Sequence, residues 1–140
     1  MSFENIYGIA ASAMRAQTVR LDTIASNLAN ADSASSSEDA AYHSVHPVFQ
    51  TVYQQVDELG SIGAASVAVA DVVKGQEQPS KRYEPGNPMA DTDGYVFYAN
   101  INSVDEMADM MSASRSFESS VEVLKRIGTM QQSLLGLGSS

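Results

Sequence analysis

All four prolines of this 140-residue chain lie in its middle, at Pro47, Pro79, Pro85 and Pro88. Proline inside a helix removes a backbone hydrogen bond and costs about 3 kcal/mol. Residues 1–46 and 89–140 contain none. This distribution therefore leaves both ends of the chain free to form long helices and confines the helix breakers to the centre.

The first 31 residues carry apolar side chains at alternating spacings of three and four, the pattern of a helix that packs along another helix. About 28 residues in a helix would span roughly 40 Å. The positions of this first heptad pattern are Tyr7, Ala10, Met14, Gln17, Leu21, Ile24, Leu28 and Ala31, of which Gln17 is the one polar member.

A second heptad pattern runs through residues 103–140. Its positions are Met107, Met110, Ser114, Phe117, Val121, Leu124, Gly128, Gln131 and Leu135. A neighbouring apolar stripe consists of Val123, Ile127, Met130, Leu134 and Leu137. Because a single helix cannot cover so wide an apolar arc, we expect a further partner from another chain.

The second helix is expected to begin at Ser103. Its hydroxyl suits the N-cap, and the carboxylate of Glu106 suits the third helical position of a capping box. Two glycines, Gly8 and Gly128, lie inside the predicted helices at a cost of about 1 kcal/mol each. This cost favours a close helix approach or a kink, with incidental tolerance as the alternative.

Three methionines cluster near the start of the second helix, at Met107, Met110 and Met111. Two interpretations stay open. They fill an ordinary core, or they form an adaptable surface whose flexible thioethers repack against non-equivalent neighbours.

The middle of the chain has the composition of short strands separated by turns. Candidate strands are Tyr42–Val56, Ser66–Val73, Lys81–Glu84 and Tyr95–Tyr98; candidate loops and turns are residues 34–37, 60–63, 85–88 and 91–94. The sequence thus predicts an α+β fold. Helices within residues 1–31 and 103–140 pair as an antiparallel coiled coil, and a small β-rich insert, residues 32–102, lies between them.

Little in the sequence indicates chemistry. The chain has no cysteine, and most of its net charge of −9 lies in residues 32–102, which argues against a nucleic-acid partner. The histidines His43 and His46 are too few for zinc, and the Asp91–Gly94 stretch lacks the remaining ligands of a calcium loop. We expect no enzyme activity, no cofactor and no metal.

Two stretches resemble a known family. The first is Ala11–Asn30, which ends in Asn27-Leu28-Ala29-Asn30 and is similar to the N-terminal signature of flagellar axial proteins, the rod, hook and hook-associated proteins. The second comprises Tyr83–Asp91 (Tyr-Glu-Pro-Gly-Asn-Pro-Met-Ala-Asp), Gly94–Val96, Glu106-Met107 and Met110–Glu118. It resembles the proximal-rod branch of that family. Two departures, at Ala99–Asn102 and in residues 32–41, concern local turns.

The resemblance implies a structural subunit of the flagellar basal-body rod, assembled helically into a drive shaft around an export channel. Its partners would be copies of itself, other proximal and distal rod proteins, the rod-base adaptor, and export-gate and ring proteins. It would lie in the periplasm and be exported without a cleaved signal. The N-terminus does not resemble a secretory signal, and no stretch approaches the roughly 18 apolar residues of a membrane span.

The expected subunit interface follows from the heptad positions, the neighbouring apolar stripe of the second helix and the methionine cluster. Its residues are Tyr7, Met14, Leu21, Ile24, Leu28, Met107, Met110, Met111, Phe117, Val121, Leu124, Ile127, Met130 and Leu134. The alternative function is a soluble helical-hairpin adaptor or chaperone of the export system, which would form a stable small oligomer.

Overall fold

The computed structural model describes residues 3–56 and 62–138. The elements in chain order are helix α1 (Phe3–Asn30), strands β1 (Ala34–Ser35), β2 (Val45–Val56), β3 (Ile62–Lys74), β4 (Ser80–Tyr83) and β5 (Tyr95–Tyr98), and helix α2 (Ser103–Gly138). The predicted α+β class is confirmed, with two terminal helices and a β-rich middle. Coiled-coil geometry between the helices stays a prediction.

The strands form two separate antiparallel sheets. Strands β2 and β3 make a two-stranded hairpin with a register shift between Val48 and Phe49. The other sheet has the order β1-β5-β4, with β5 in the centre. In it Val96 is completely buried, so the central strand anchors this sheet to the rest of the chain.

Two details of the insert differ from the sequence prediction. The stretch 34–37 was expected to be a loop, but Ala34 and Ser35 pair with β5 as a two-residue strand. Such a short strand carries no alternating pattern that a sequence could display. The turn expected at residues 60–63 begins outside the described residues, and Ile62 and Gly63 already belong to β3.

The start of α2 is capped one residue earlier than predicted. Asn102 Oδ1 accepts a hydrogen bond from Val104 N at 3.1 Å, and Asn102 Nδ2 donates to Asp105 Oδ2 at 2.7 Å. Asn102 is therefore the N-cap, because its side chain satisfies an otherwise unpaired amide of the first turn. Ser103 becomes the first helical residue, and Glu106 is left for a different partner.

The helical core is built from small and β-branched side chains. Its buried apolar members are Ala10, Ala16, Ile24, Ala113 and Ile127. Alanine at facing positions lets two helix backbones approach closely. Gly8 does not serve this purpose, since a methyl group there would meet no atom of the described residues within 4 Å. Of the three expectations for Gly8, close approach is therefore wrong within the described part of the single chain, and a kink and incidental tolerance stay predictions.

Candidate assembly interface

The two helices lie side by side and run in opposite directions. Arg20 Nη2 donates to Asp109 Oδ1 at 3.0 Å, and Asn27 Nδ2 donates to Glu106 Oε1 at 3.1 Å. At the other end, a Cβ atom at Gly128 would lie 3.4 Å from Tyr7 Oη. Later residues of α1 thus face earlier residues of α2. The Arg20–Asp109 ion pair is solvent-exposed and contributes at most about 1 kcal/mol.

Helix α2 is longer than its intramolecular partner. It has 36 residues, against 28 in α1. With Gly128 opposite Tyr7, the last turns of α2 continue beyond the described start of α1. The side chains of residues 129–137 are all exposed. This end of α2 therefore presents surface that α1 does not cover.

The predicted interface residues fall into three groups by exposure. Ile24 and Ile127 are buried within the single chain. The exposed members are Met107, Met111, Met130 and Leu134. The partly exposed members are Tyr7, Met14, Leu21, Leu28, Met110, Phe117, Val121 and Leu124.

Six of the eight large apolar side chains that the described part of α2 exposes form two patches, and the other two, Leu135 and Leu137, lie at the end of the helix. The early patch consists of Val104, Met107 and Met111, which are 53–72% exposed. The late patch consists of Val123, Met130 and Leu134, which are 43–52% exposed. At 3.6 residues per turn, Met107 and Met130 point in directions about 140° apart. One helix therefore offers two non-equivalent apolar surfaces, near opposite ends and on different flanks.

A buried asparagine joins the helices to the hairpin. Asn27 is completely buried. Its Oδ1 accepts hydrogen bonds from Val45 N at 2.8 Å and Tyr42 Oη at 3.2 Å. Its Nδ2 donates to Val45 O at 3.0 Å and to Glu106 Oε1 at 3.1 Å. Sequence reasoning used this residue only as part of a signature, because Ser26 and Asn30 of the same stretch are polar as well and nothing local marks Asn27 as the buried one.

The parts of the second signature stretch that lie in the insert, Tyr83–Asp91 and Gly94–Val96, form with Tyr98 a polar and aromatic platform at the end of the small sheet. Asn87 Nδ2 and Tyr98 Oη both donate to Glu84 Oε2 at 2.9 Å. The hydrogen bond from Asn87, and after it the one from Tyr98, holds the pKa of Glu84 below its ordinary value. The hydrogen bond to Glu84 in turn raises the pKa of Tyr98. The rings of Tyr83 and Tyr95 meet edge to face, with their centroids 5.2 Å apart.

The Asp91–Gly94 stretch is a turn, as the sequence predicted. The carboxylate of Asp91 accepts hydrogen bonds from backbone amides in and directly after this turn. Asp91 Oδ1 accepts from Asp93 N at 2.9 Å and from Tyr95 N at 2.8 Å. Gly94 has a φ of +81°, which favours glycine. Within residues 3–56 and 62–138, no group of three or more acidic, histidine or cysteine side chains is arranged to hold a metal ion.

A serine, a histidine and a glutamate do meet in one cleft. Ser44 Oγ lies 3.0 Å from His46 Nε2 and donates to Glu77 Oε2 at 3.2 Å. A Ser–His–acid triad needs the carboxylate to orient the histidine, which in turn activates the serine. Here the carboxylate contacts the serine. The arrangement is therefore a hydrogen-bonded support at the base of β2.

Membrane insertion through a helix is not supported by the described residues. Neither α1 nor α2 contains a stretch that is apolar enough, over the required length, to cross a bilayer.

Comparison with known proteins bears on both helices and the insert. Residues 8–34 match the family model for flagella basal body rod proteins, and residues 92–137 match that for the C-terminal part of flagellar basal body rod FlgEFG proteins. Over 138 residues, which is 99% of both chains, the sequence is 44% identical to the flagellar basal-body rod protein FlgC of Escherichia coli O157:H7. It is 43% identical over the same length to that of Salmonella typhimurium. It is 38% identical to that of Aquifex aeolicus over 87% of both chains.

These relatives and family models define the class of the chain as a structural protein of the flagellar rod. The chain belongs to the FlgC family of flagellar basal-body rod proteins. It is a structural component of the basal body of the bacterial flagellum.

Proposed function

We propose that the chain is a subunit of the proximal rod, which assembles helically with copies of itself and other rod proteins. In this assembly the helices of residues 1–31 and 103–140 line the inner tube as an antiparallel coiled coil around the export channel. The insert, residues 32–102, faces outward. The assembled rod transmits motor torque to the hook and filament, and dense helix packing gives it the required stiffness.

The observation that carries this proposal is the pair of non-equivalent apolar patches on α2. A closed twofold dimer uses the same patch on both subunits, whereas a helical tube uses two different surfaces of each subunit. The early patch, at Met107 and Met111, and the late patch, at Met130 and Leu134, differ in direction and in height along the helix. Such an arrangement suits contacts with two different neighbours.

The remaining interface residues have two roles in this proposal. Ile24 and Ile127 hold the helix pair together within one subunit. The partly exposed heptad residues lie at the margins, where an adjacent subunit completes their burial. The flexible side chains of the early patch fit neighbours that are not identical, in keeping with the adaptable-surface interpretation of the methionines.

The wider setting is proposed by analogy with the family. The subunit lies in the periplasm after export through the flagellar apparatus without a cleaved signal. Its neighbours are the rod-base adaptor, export-gate and ring proteins on one side and the distal rod on the other. The alternative role as a soluble adaptor or chaperone is less favoured, because it gives no reason for two separate apolar patches on one helix.

The test is charge insertion into the late patch. Met130→Asp and Leu134→Asp should each abolish swimming when expressed in cells that lack their own copy of the protein. Basal bodies isolated from these cells should contain no detectable rods. Thr129→Asp is the matched control, since Thr129 is exposed on a different side of the same turn. Far-UV circular dichroism of the purified variants checks that the fold survives. Normal swimming by both late-patch variants would refute the proposed contacts.

A further inference from the structure

The side-chain amide of Asn27 forms hydrogen bonds with the backbone of the first residue of the hairpin, in the place where a neighbouring strand would do so. Its Oδ1 accepts from Val45 N at 2.8 Å and its Nδ2 donates to Val45 O at 3.0 Å. Val45 is the first residue of β2. One side chain thus engages both polar backbone groups of that residue, as the adjacent strand of a sheet would.

The same amide also reaches the opposite helix. Nδ2 makes its second hydrogen bond to Glu106 Oε1, in the first turn of α2. Tyr42 Oη supplies the second hydrogen bond to Oδ1, and lies 2.9 Å from Ser26 Oγ. All four hydrogen-bonding positions of the amide are therefore used. From a fully buried position in α1, the side chain of Asn27 contacts both α2 and the hairpin.

The hairpin needs such an attachment because it pairs only with itself among the described strands. A two-stranded ribbon alone is marginally stable. A second hydrogen bond to α1 lies farther along the ribbon, where Ser12 Oγ accepts from Val67 N at 3.2 Å. Ser12 and Asn27 are roughly 22 Å apart along the helix. With one attachment the hairpin could rotate about that point. Two attachments at this separation fix the angle between the hairpin and α1.

We propose that Asn27 is a positioning residue, which sets the orientation of the β2–β3 hairpin relative to the helix pair and makes that orientation depend on the docking of α2. The geometry concerns one subunit and holds whichever neighbours it meets. Its consequence for assembly rests on the proposed function, because a hairpin at the wrong angle presents its surface to the wrong place in the rod.

A pair of isosteric substitutions can separate the two arms of this contact. In Asn27→Asp the donor that faces Val45 O and Glu106 is replaced by an acceptor, so both contacts become repulsive. Adding Glu106→Gln supplies a donor to the new carboxylate and restores the link between the helices. The double variant therefore loses one contact to Val45 and keeps the contact to α2.

Spin-label distances in the purified free subunit measure the result. The chain has no cysteine, so introduced cysteines are the only labelling sites. Labels at Thr51 and Ser119 report the hairpin against α2, and labels at Asp22 and Ser119 report the helix pair. All three positions are exposed. The expected result for Asn27→Asp with Glu106→Gln is a broadened Thr51–Ser119 distribution and an unchanged Asp22–Ser119 distribution.

Asn30→Ala is the matched control from the same signature. Asn30 Nδ2 donates to Ser26 O of its own helix at 2.8 Å, and no other partner of this amide is found among the described residues. Both distributions should therefore stay as in the unmodified chain. Tyr42→Phe removes one of the four hydrogen bonds of the Asn27 amide, together with the contact between Tyr42 Oη and Ser26 Oγ, and should give a smaller broadening of the Thr51–Ser119 distribution. It also covers the case in which the double variant does not fold.

Three outcomes would overturn the proposal. The first is a Thr51–Ser119 distribution that stays narrow in both test variants, because the hairpin would then be held by other packing. The second is equal broadening of both distributions, or loss of fold in both variants, because Asn27 would then stabilise the fold in general. The third is a broad Thr51–Ser119 distribution in the unmodified subunit. None of these depends on rod assembly, so the proposed function is tested separately by swimming.

Discussion

Tyr98 donates a hydrogen bond to Glu84 at 2.9 Å, and this contact ties the central strand of the small sheet to the turn after β4. Asn87 donates to the same carboxylate oxygen from within the turn. The ring of Tyr98 also lies 4.8 Å from the guanidinium carbon of Arg82. The Glu84 carboxylate is therefore the acceptor around which this end of the insert is organised.

The first prediction concerns the pH dependence of this platform. The pKa of Glu84 is held below 4.5, chiefly by the hydrogen bond from Asn87 and then by that from Tyr98. Because the folded pKa is depressed, the contribution to stability is present above the unfolded pKa and is lost as the pH falls below about 4.5 through the folded pKa. The pKa of Tyr98 is raised above 10.0. Its contribution is present below 10 and is lost as the pH rises through the folded pKa.

The measurement is the difference in thermal midpoint between the unmodified chain and Glu84→Gln, followed over pH. We expect the unmodified chain to be the more stable between pH 5 and 9, with a difference that shrinks at both extremes. Asp93→Asn is a suitable control. No hydrogen bond to the side chain of Asp93 is found in the described part of the chain. The difference in thermal midpoint between the unmodified chain and Asp93→Asn should therefore be small at every pH. A Glu84→Gln difference that grows below pH 4 would contradict the assigned cause.

The second prediction contrasts two glycines. At Gly94 a Cβ atom would lie 2.9 Å from Tyr83 Cε2, and φ is +81°. At Gly8 it would meet no atom of residues 3–56 and 62–138 within 4 Å. Gly94→Ala should therefore destabilise the chain by about 1–3 kcal/mol through strain and overlap. Gly8→Ala should stabilise it by up to about 1 kcal/mol through helix propensity. Urea unfolding of both variants checks the opposite signs, and a stabilising Gly94→Ala would show that the turn relaxes freely.

The long helices could be predicted from sequence because their signals are local and repeated. Proline placement and two heptad patterns predicted two long terminal helices, and the described residues contain them as Phe3–Asn30 and Ser103–Gly138. Four of the five strands had recognisable composition or alternation. The N-cap was misplaced because Asn102 and Ser103 are both good caps and differ by one residue, a choice that tertiary packing decides.

The role of Asn27 could not be predicted from sequence in the same way. Its partners Val45 and Glu106 are 18 and 79 residues away. No periodicity relates such distant positions. Nor could the sequence tell that Ile24 and Ile127 would be buried within one chain while Met107 and Met130 would stay exposed. That division depends on the register between the helices, which the three cross-helix contacts fix.

The third prediction concerns the polar member of the first heptad pattern. Gln17 Oε1 is buried, and no hydrogen-bond partner is found for it in the described part of the chain. A buried acceptor without a partner costs about 1–3 kcal/mol. Gln17→Leu should therefore raise the free energy of unfolding by on the order of 1 kcal/mol.

Ser12→Ala is the comparison for this variant. Ser12 Oγ donates to Ile9 O at 2.7 Å and accepts from Val67 N, so its removal should lower the free energy of unfolding. Urea titrations should show opposite shifts of the midpoint with unchanged slopes. A loss of stability in Gln17→Leu would indicate that the amide has a partner in solution.

The last prediction concerns the end of α2. Residues 129–138 continue past the region where Gly128 faces Tyr7, and the side chains of residues 129–137 are exposed. Helix ends with exposed side chains open readily, because propensity alone holds few turns in water. Amide hydrogen exchange in the free subunit should therefore be fast in residues 129–138. It should be markedly slower in residues 106–113, where Glu106 contacts Asn27 and Ala113 is completely buried.

In isolated basal bodies the late patch is covered by a neighbour under the proposed assembly, so residues 129–138 should gain protection there while residues 106–113 change little. Equal protection of both segments in the free subunit would show that α2 needs no neighbour to be ordered to its end.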